Sequence, residues 1–144
     1  MAKMVDITPK PEVVRVARAS GYIKLKKETI EKIRRGKIEK GDVLEVAKTA
    51  AILAIKKVPE IIPLTHPIPI TGAEVELTLE KDGIRGVVEV RRTGKTGVEM
   101  EALTGVACAL LTIWDMVKGL EKDERGQYPE TRIEEIRVLE KVKG

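Results

Sequence analysis

The sequence predicts an α+β domain spanning residues 1–144, an antiparallel sheet with helices packed on one face. Three observations lead there. Gly72–Leu79 and Ile84–Arg92 alternate apolar with polar residues on either side of Lys81-Asp82-Gly83, which reads as two strands and a hairpin turn. Two longer stretches, one after Asp42 and one over Met100–Leu120, repeat apolar side chains at helical spacing. Further β-formers lie outside both, in Val13–Leu25 and Arg132–Glu140, so strands and helices are interspersed.

Met4–Lys10 reads as extended and is broken by Pro9 and Pro11. Val13–Leu25 is a strand or hairpin element, with the strand signal strongest over Gly21–Leu25. Lys27–Arg35 is a short helix, Ile30 and Ile33 inward, stopped by Gly36. Lys40-Gly41-Asp42 opens a longer helix with Asp42 as its N-cap. Its face of Val43, Val46, Ala47, Ala50, Ala51, Ala54 and Ile55 is rich in small residues, so a neighbour packs closely on it. Pro59 ends it. Pro59–Ile70 holds four of the seven prolines and reads as a stiff extended segment. Gly94–Gly97 is a loop, Met100–Leu120 the longest helix and buried over most of its surface, and Glu121–Pro129 a charged loop. The order is that of a ferredoxin-like fold. One sheet cannot cover so apolar a helix, which implies an oligomer.

Composition excludes several functional classes. At 42% hydrophobic and 35% charged residues, the 144-residue chain can form a core and stay soluble. No run of about 18 uninterrupted apolar residues marks a membrane span, and Met1–Asp6 has no signal-peptide core. A cytoplasmic location follows as the expectation. Cys108 is the only cysteine, so no intramolecular disulfide and no cysteine metal site can form; it reads as a small buried hydrophobe. Gln127 is the only side-chain amide among many ions, a composition that points to a thermophilic source. Residues 1–58 carry 15 Lys and Arg against 7 Asp and Glu, whereas residues 59–144 carry 12 against 16. The basic first half calls for an anionic partner or is simply a solvated surface. Nucleic acid is disfavoured, because Tyr22, Trp114 and Tyr128 are too few to stack bases.

Several residues can carry chemistry. His66 is the only histidine and stands between Thr65 and Pro67 in the proline-stiffened segment. A lone histidine is often structural, but here a rigid frame fixes it as a phosphate donor or proton carrier. With no second histidine or cysteine cluster, no metal site is expected. Gly94-Lys95-Thr96-Gly97 resembles part of a phosphate-binding P-loop, but Glu89 stands where its first glycine belongs. It is either a plain loop or a ligand approach at a helix start. Glu99 and Glu101 complement the N-terminus of the long helix and need no function to explain them, and Met100 between them reads as core. Asp115 and Lys118 share a face of that otherwise apolar helix. They form either a salt bridge or an acid/base pair with a partly desolvated lysine. Lys40, Lys56, Arg15 and Arg18 are candidate phosphate cations, or ordinary surface charges. Glu101 and Asp115 are separated by roughly 21 Å along a continuous helix. A small ligand reaches both only if the chain bends back or two subunits share the site.

Together these segments resemble the molybdenum cofactor biosynthesis protein C family, the cyclic pyranopterin monophosphate synthases. The resemblance is carried by Met4-Val-Asp6, Lys40-Gly41-Asp42-Val43, Ile62-Pro-Leu-Thr-His66-Pro67, Gly94-Lys-Thr-Gly-Val-Glu99-Met-Glu101-Ala-Leu-Thr104 and Leu111-Thr-Ile-Trp-Asp115-Met-Val-Lys118. Departures are Thr65 for the family's usual Cys, Trp114 for Tyr, and an end at Gly144 without the Gly-, Lys- and Ser-rich tail, leaving Lys141 or Lys143 to replace a tail lysine. The resemblance implies a lyase that converts 3′,8-cyclo-7,8-dihydroguanosine triphosphate to cyclic pyranopterin monophosphate and releases pyrophosphate. It implies Asp115 and Lys118 as acid and base, and Leu64, Thr65, His66, Met100, Glu99 and Glu101 as substrate contacts. Lys40, Lys56 and Arg15 become phosphate binders. No resident cofactor is implied, though a divalent ion could assist. The family assembles dimers into hexamers with sites between subunits. The rival readings are a non-catalytic nucleotide- or nucleic-acid-binding module and a purely structural oligomer.

Overall fold

The computed structural model describes residues 1–144. Its elements run β1 (Val13–Lys24), α1 (Lys27–Arg34), α2 (Val43–Lys56), α3 (Val58–Ile61), β2 (Gly72–Glu80), β3 (Gly83–Gly94), α4 (Glu99–Glu121) and β4 (Arg132–Lys143). The four strands form one sheet in the order β2-β3-β1-β4, every neighbouring pair antiparallel. With α1 and α2 between β1 and β2, and α4 between β3 and β4, this is the ferredoxin-like arrangement. The β2–β3 hairpin turns at Lys81-Asp82-Gly83 as expected.

The core lies between sheet and helices. Ala17, Ala19 and Ile23 of β1 and Ile84, Val88 and Val90 of β3 meet Val106, Leu110 and Ile113 of α4 and Ala47, Ala51 and Ile55 of α2. The small face of α2 does what its composition implies. A side chain at Gly105 of α4 would meet Ile55 at 2.9 Å, so glycine lets the two helices approach.

Six expectations need correction. β1 is one 12-residue strand rather than a hairpin or a short strand after Gly21. Gly21 sits inside it where the pairing with β4 shifts register, and a side chain there would meet Leu110 at 2.9 Å. Pro59 does not end a helix. α2 stops at Lys56, and Pro59 occupies the first turn of α3, where its missing N–H costs nothing. Pro59–Ile70 is therefore extended only after that turn. Gly94 closes β3 instead of opening a loop, and β4 runs to Lys143, beyond Glu140. Finally, α4 buries one stripe and not most of its surface. Leu111 is 59% exposed and Met100 38%, because the sheet and α2 cover a single side. By length and mean hydropathy α4 could cross a membrane, but half of it is packed inside the protein as a core helix. Cys108 on it is half-buried rather than buried.

Candidate functional site

The C-terminal end of α4 meets the chain entering α2. Gly41, at φ +117°, lets the backbone turn between Lys40 and Asp42. Asp42 then caps α2, its Oδ1 accepting the Glu45 N–H at 3.2 Å. This throws Lys40 towards α4. Its Nζ donates to the Asp115 backbone carbonyl at 3.0 Å and to Asp115 Oδ2 at 3.1 Å. Lys118 Nζ lies 3.0 Å from Asp115 Oδ1. One carboxylate is thus held between two ammonium groups, one from its own helix and one 75 residues away.

All three side chains are open to solvent. The hydrogen bond from Lys118, then that from Lys40, holds the Asp115 carboxyl below the usual carboxylate range. Asp115 in turn raises Lys118. The expectation of a partly desolvated lysine is overturned: Lys118 is stabilised as a cation, because water reaches it and a carboxylate touches it. The trio offers a fixed anion as proton acceptor and two ammoniums that can donate a proton or hold a phosphate oxygen. A T-shaped contact between Trp114 and Tyr128, ring centroids 5.2 Å apart, fastens the following loop to α4.

The other end of α4 is built differently. Glu101 is 2% exposed and faces Arg92, also 2% exposed, at 3.4 Å. Arg92 organises its surroundings, donating to the Ile68 and Gly97 carbonyls and to Thr96 Oγ1. The Gly94–Gly97 segment is thereby wrapped round a guanidinium. Arg15 pairs across the sheet with Arg92 and is itself buried, its Nε donating to the Gly94 carbonyl. It is not a surface charge. Arg15 Nη2 and Arg92 Nε have no protein partner. Burial pushes the Glu101 carboxyl up, against the pull of Arg92, and pushes Arg92 down. Glu99, half-buried beside them, binds Lys141 Nζ at 2.7 Å. That contact gives the C-terminal strand a lysine at this end of α4.

The remaining candidates do not join the trio of Lys40, Asp115 and Lys118. His66 Nε2 lies 2.7 Å from the Val5 carbonyl and shares a shallow cavity with Asp6 and Lys95. Lys95 Nζ donates to the Thr8 carbonyl. Thr65 bonds the Ile62 carbonyl, whereas Leu64 and Met100 are exposed. Lys56 and Glu101 line another cavity, of about 530 Å³, between α2 and the proline-rich segment. The single chain therefore joins Lys40, Asp115 and Lys118. It keeps Glu99, Glu101, His66 and Lys56 apart from them, and α4, one unbroken helix, does not bend the two groups together.

Arg92 and Glu121 escaped sequence reasoning. A signal existed for both. Arg92 continues the inward phase of Val88 and Val90, and Glu121 that of Ile113 and Val117. A charge on a core-facing phase marks a buried network.

A sequence model described as the MoaC family matches residues 4–144. A protein of Methanosarcina acetivorans is 63% identical over 99% of this chain and 90% of its own length. One of Sulfurisphaera tokodaii is 60% identical over 99% and 94%, and one of Pyrococcus abyssi 62% identical over 98% and 89%. Each of these three is named "probable cyclic pyranopterin monophosphate synthase". The match takes in both ends of α4, the capped start of α2 and the strand that brings Lys141 to Glu99. With identity of that order along nearly its whole length, the chain belongs to the MoaC family.

Proposed function

We propose that the protein is a cyclic pyranopterin monophosphate synthase acting in molybdenum cofactor biosynthesis. It converts 3′,8-cyclo-7,8-dihydroguanosine triphosphate to cyclic pyranopterin monophosphate with loss of pyrophosphate. The observation that carries the reading is Asp115 gripped by Lys40 and Lys118 at the rim of a cavity. The reaction rearranges the purine and closes a cyclic phosphate. At phosphorus, a substrate oxygen forms the new P–O bond while the bond to the diphosphate breaks, so the ring-closing hydroxyl must lose a proton and the departing oxygen needs positive charge. An ionised carboxylate beside two ammoniums supplies both functions without a covalent nucleophile. Asp115 is the proton acceptor, Lys118 the proton donor, and Lys40 holds phosphate.

Glu99, Glu101, His66, Leu64, Thr65 and Met100 are, in this reading, further substrate contacts, and Lys56 and Arg15 bind phosphate together with Lys40. The roughly 21 Å between Glu101 and Asp115 along α4 supports a site completed by a second subunit. The apolar side chains left exposed on α2 and α4, Leu53 and Leu111 among them, support assembly, with dimers building a hexamer. The enzyme works in the cytoplasm and without a resident cofactor. The test is pyrophosphate release from the cyclised nucleotide by purified protein. Full release by Lys118→Ala would sink the assigned chemistry, and a monomer in sedimentation would sink the shared site.

A further inference from the structure

We infer that the N-terminal arm, Met4–Thr8, is a positioning element for His66: by accepting the ring's Nε2–H on the Val5 carbonyl, it leaves Nδ1 as a hydrogen-bond acceptor for the substrate. The inference deepens the proposed function. It rests on the reading of His66 as a substrate contact and adds which ring atom makes that contact. No backbone hydrogen bond ties the arm to the sheet or the helices. Residues 1–10 form a single one, from the Lys10 N–H to the Ile7 carbonyl, within the same stretch. Two side chains of the body hold the arm instead. Lys95 Nζ donates to the Thr8 carbonyl at 3.0 Å, and His66 Nε2 meets the Val5 carbonyl at 2.7 Å.

Between those two points the arm shapes itself. Asp6 Oδ1 accepts from the Thr8 N–H at 2.8 Å and from Thr8 Oγ1 at 2.6 Å, an Asx turn that fixes the peptide carrying the Val5 carbonyl. These bonds, the hydroxyl's first, hold the Asp6 carboxyl below the usual carboxylate range, so the turn is formed at neutral pH. On the other side, the histidine backbone is equally fixed. Pro67 follows it, its carbonyl accepts the Ile68 N–H at 2.9 Å, and Thr65 is tied to the Ile62 carbonyl. The chemistry of the ring then has one solution. A backbone carbonyl has no proton to give, so Nε2 carries the hydrogen. In the neutral ring Nδ1 is left with its lone pair, and no group of the chain bonds it. Residue type alone leaves His66 open as a phosphate donor or a proton carrier. With Nε2 occupied, the neutral ring has no N–H left for a phosphate oxygen. It accepts instead from an N–H or O–H of the substrate. A proton taken there leaves an imidazolium, whose Nε2–H bond to Val5 is strengthened by the charge. The base is thus oriented by a third group, here a main-chain carbonyl.

The test reads the ring directly, and a chain with one histidine gives an unambiguous signal. Ring nitrogen shifts of the full-length, ¹⁵N-labelled protein, recorded at about pH 8 where histidine is neutral, should show the Nε2–H form alone, with its proton slow to exchange. The Asp6→Ala/Lys95→Gln variant removes the Asx turn and the second tether. Its ring nitrogens should move towards the average of the two tautomers and its Nε2 proton should exchange faster, while the backbone amide spectrum of the same sample reports an intact fold. Asp6→Asn keeps an oxygen for the Thr8 N–H and should restore the wild-type signature. With the cyclised nucleotide, Asp6→Ala should lower kcat by roughly ten- to a hundredfold, the usual cost of a misplaced group, and Asp6→Asn should recover it. An Nδ1–H ring in the wild type, a wild-type ring signature in the double variant, or full turnover by Asp6→Ala overturns the inference. The Nε2–H signature with no turnover of the cyclised nucleotide by wild type would leave the arm's hold on His66 standing and remove the proposed reaction. Turnover by a wild type whose ring is in the other tautomer would do the reverse.

Discussion

The two ends of α4 each hold a carboxylate against cations, and they do so in opposite media. At the N-terminal end Glu101 and Arg92 are sealed from water, and burial makes ionisation of both harder. At the C-terminal end Asp115 stands in solvent, and its two lysines make ionisation easier. A buried pair is a structural commitment: it fixes a loop and is costly to break. An exposed trio contributes little to stability and is free to exchange protons and partners with a ligand. The same helix thus has a buried, rigid end and a solvent-exposed one that can trade protons.

Mutation should separate them. Lys118→Ala should lower the rate of pyrophosphate release from the cyclised nucleotide by roughly 10²–10⁴-fold, the usual range for a lost acid or base. Its thermal midpoint should stay with wild type, and a parallel fall in both would break the contrast. At the other end Glu101→Ala leaves Arg92 without its buried carboxylate. Chemical denaturation should register a loss of about 3–5 kcal/mol. Gly105→Ala, one turn from Glu101, sharpens the boundary. It forces α2 off α4 through Ile55 and should cost about 1–2 kcal/mol, the overpacking penalty less the gain in helix propensity. Activity at saturating substrate should hold.

The smallest effect is on pH dependence, and here the ends oppose each other. Asp115 is lowered from 3.8, so its stabilisation is present above that value and fades as pH falls through the folded-state value. Glu101 is raised from 4.5, so the folded state binds the extra proton, and stability on its account is lost as pH rises from 4.5 through the folded-state value. Unfolding free energies from pH 3 to 7 for Asp115→Asn and Glu101→Gln should therefore depart from wild type with opposite slopes. Slopes of one sign would mean that burial does not govern Glu101.

Much of this arrangement was legible in the residues. Alternation around Lys81-Asp82-Gly83 located β2 and β3, Asp42 located the start of α2, and the three-residue spacing of Asp115 and Lys118 put them in contact. What escaped depended on distance through space. Lys40 read as one phosphate cation among several, because nothing local ties it to a carboxylate 75 positions later. Arg15 read as a phosphate cation or a surface charge, and its burial was missed although it shares the inward phase of Ala17 and Ala19. Pro59 read as a stop, because proline ends one helix and begins another with the same chemistry. The extent of β4 was hidden because its exposed tail alternates weakly and is held by pairing with β1.

Glu121, at the very end of α4, bears on the order in which the protein assembles. Wholly buried, it accepts from the Lys26 N–H that starts α1, from Thr29 Oγ1 within α1 and from Thr131 Oγ1 just before β4. α1 has eight residues and no side-chain cap of its own, too few to persist in isolation. It must wait for α4 to bring the acceptor. Lys40 lies on the chain between α1 and the capped start of α2, so its grip on Asp115 should close only once both helices have docked on α4. Pulse-labelled amide exchange should find α4 protected before α1, and the solvent-exposed end of the helix would be completed late.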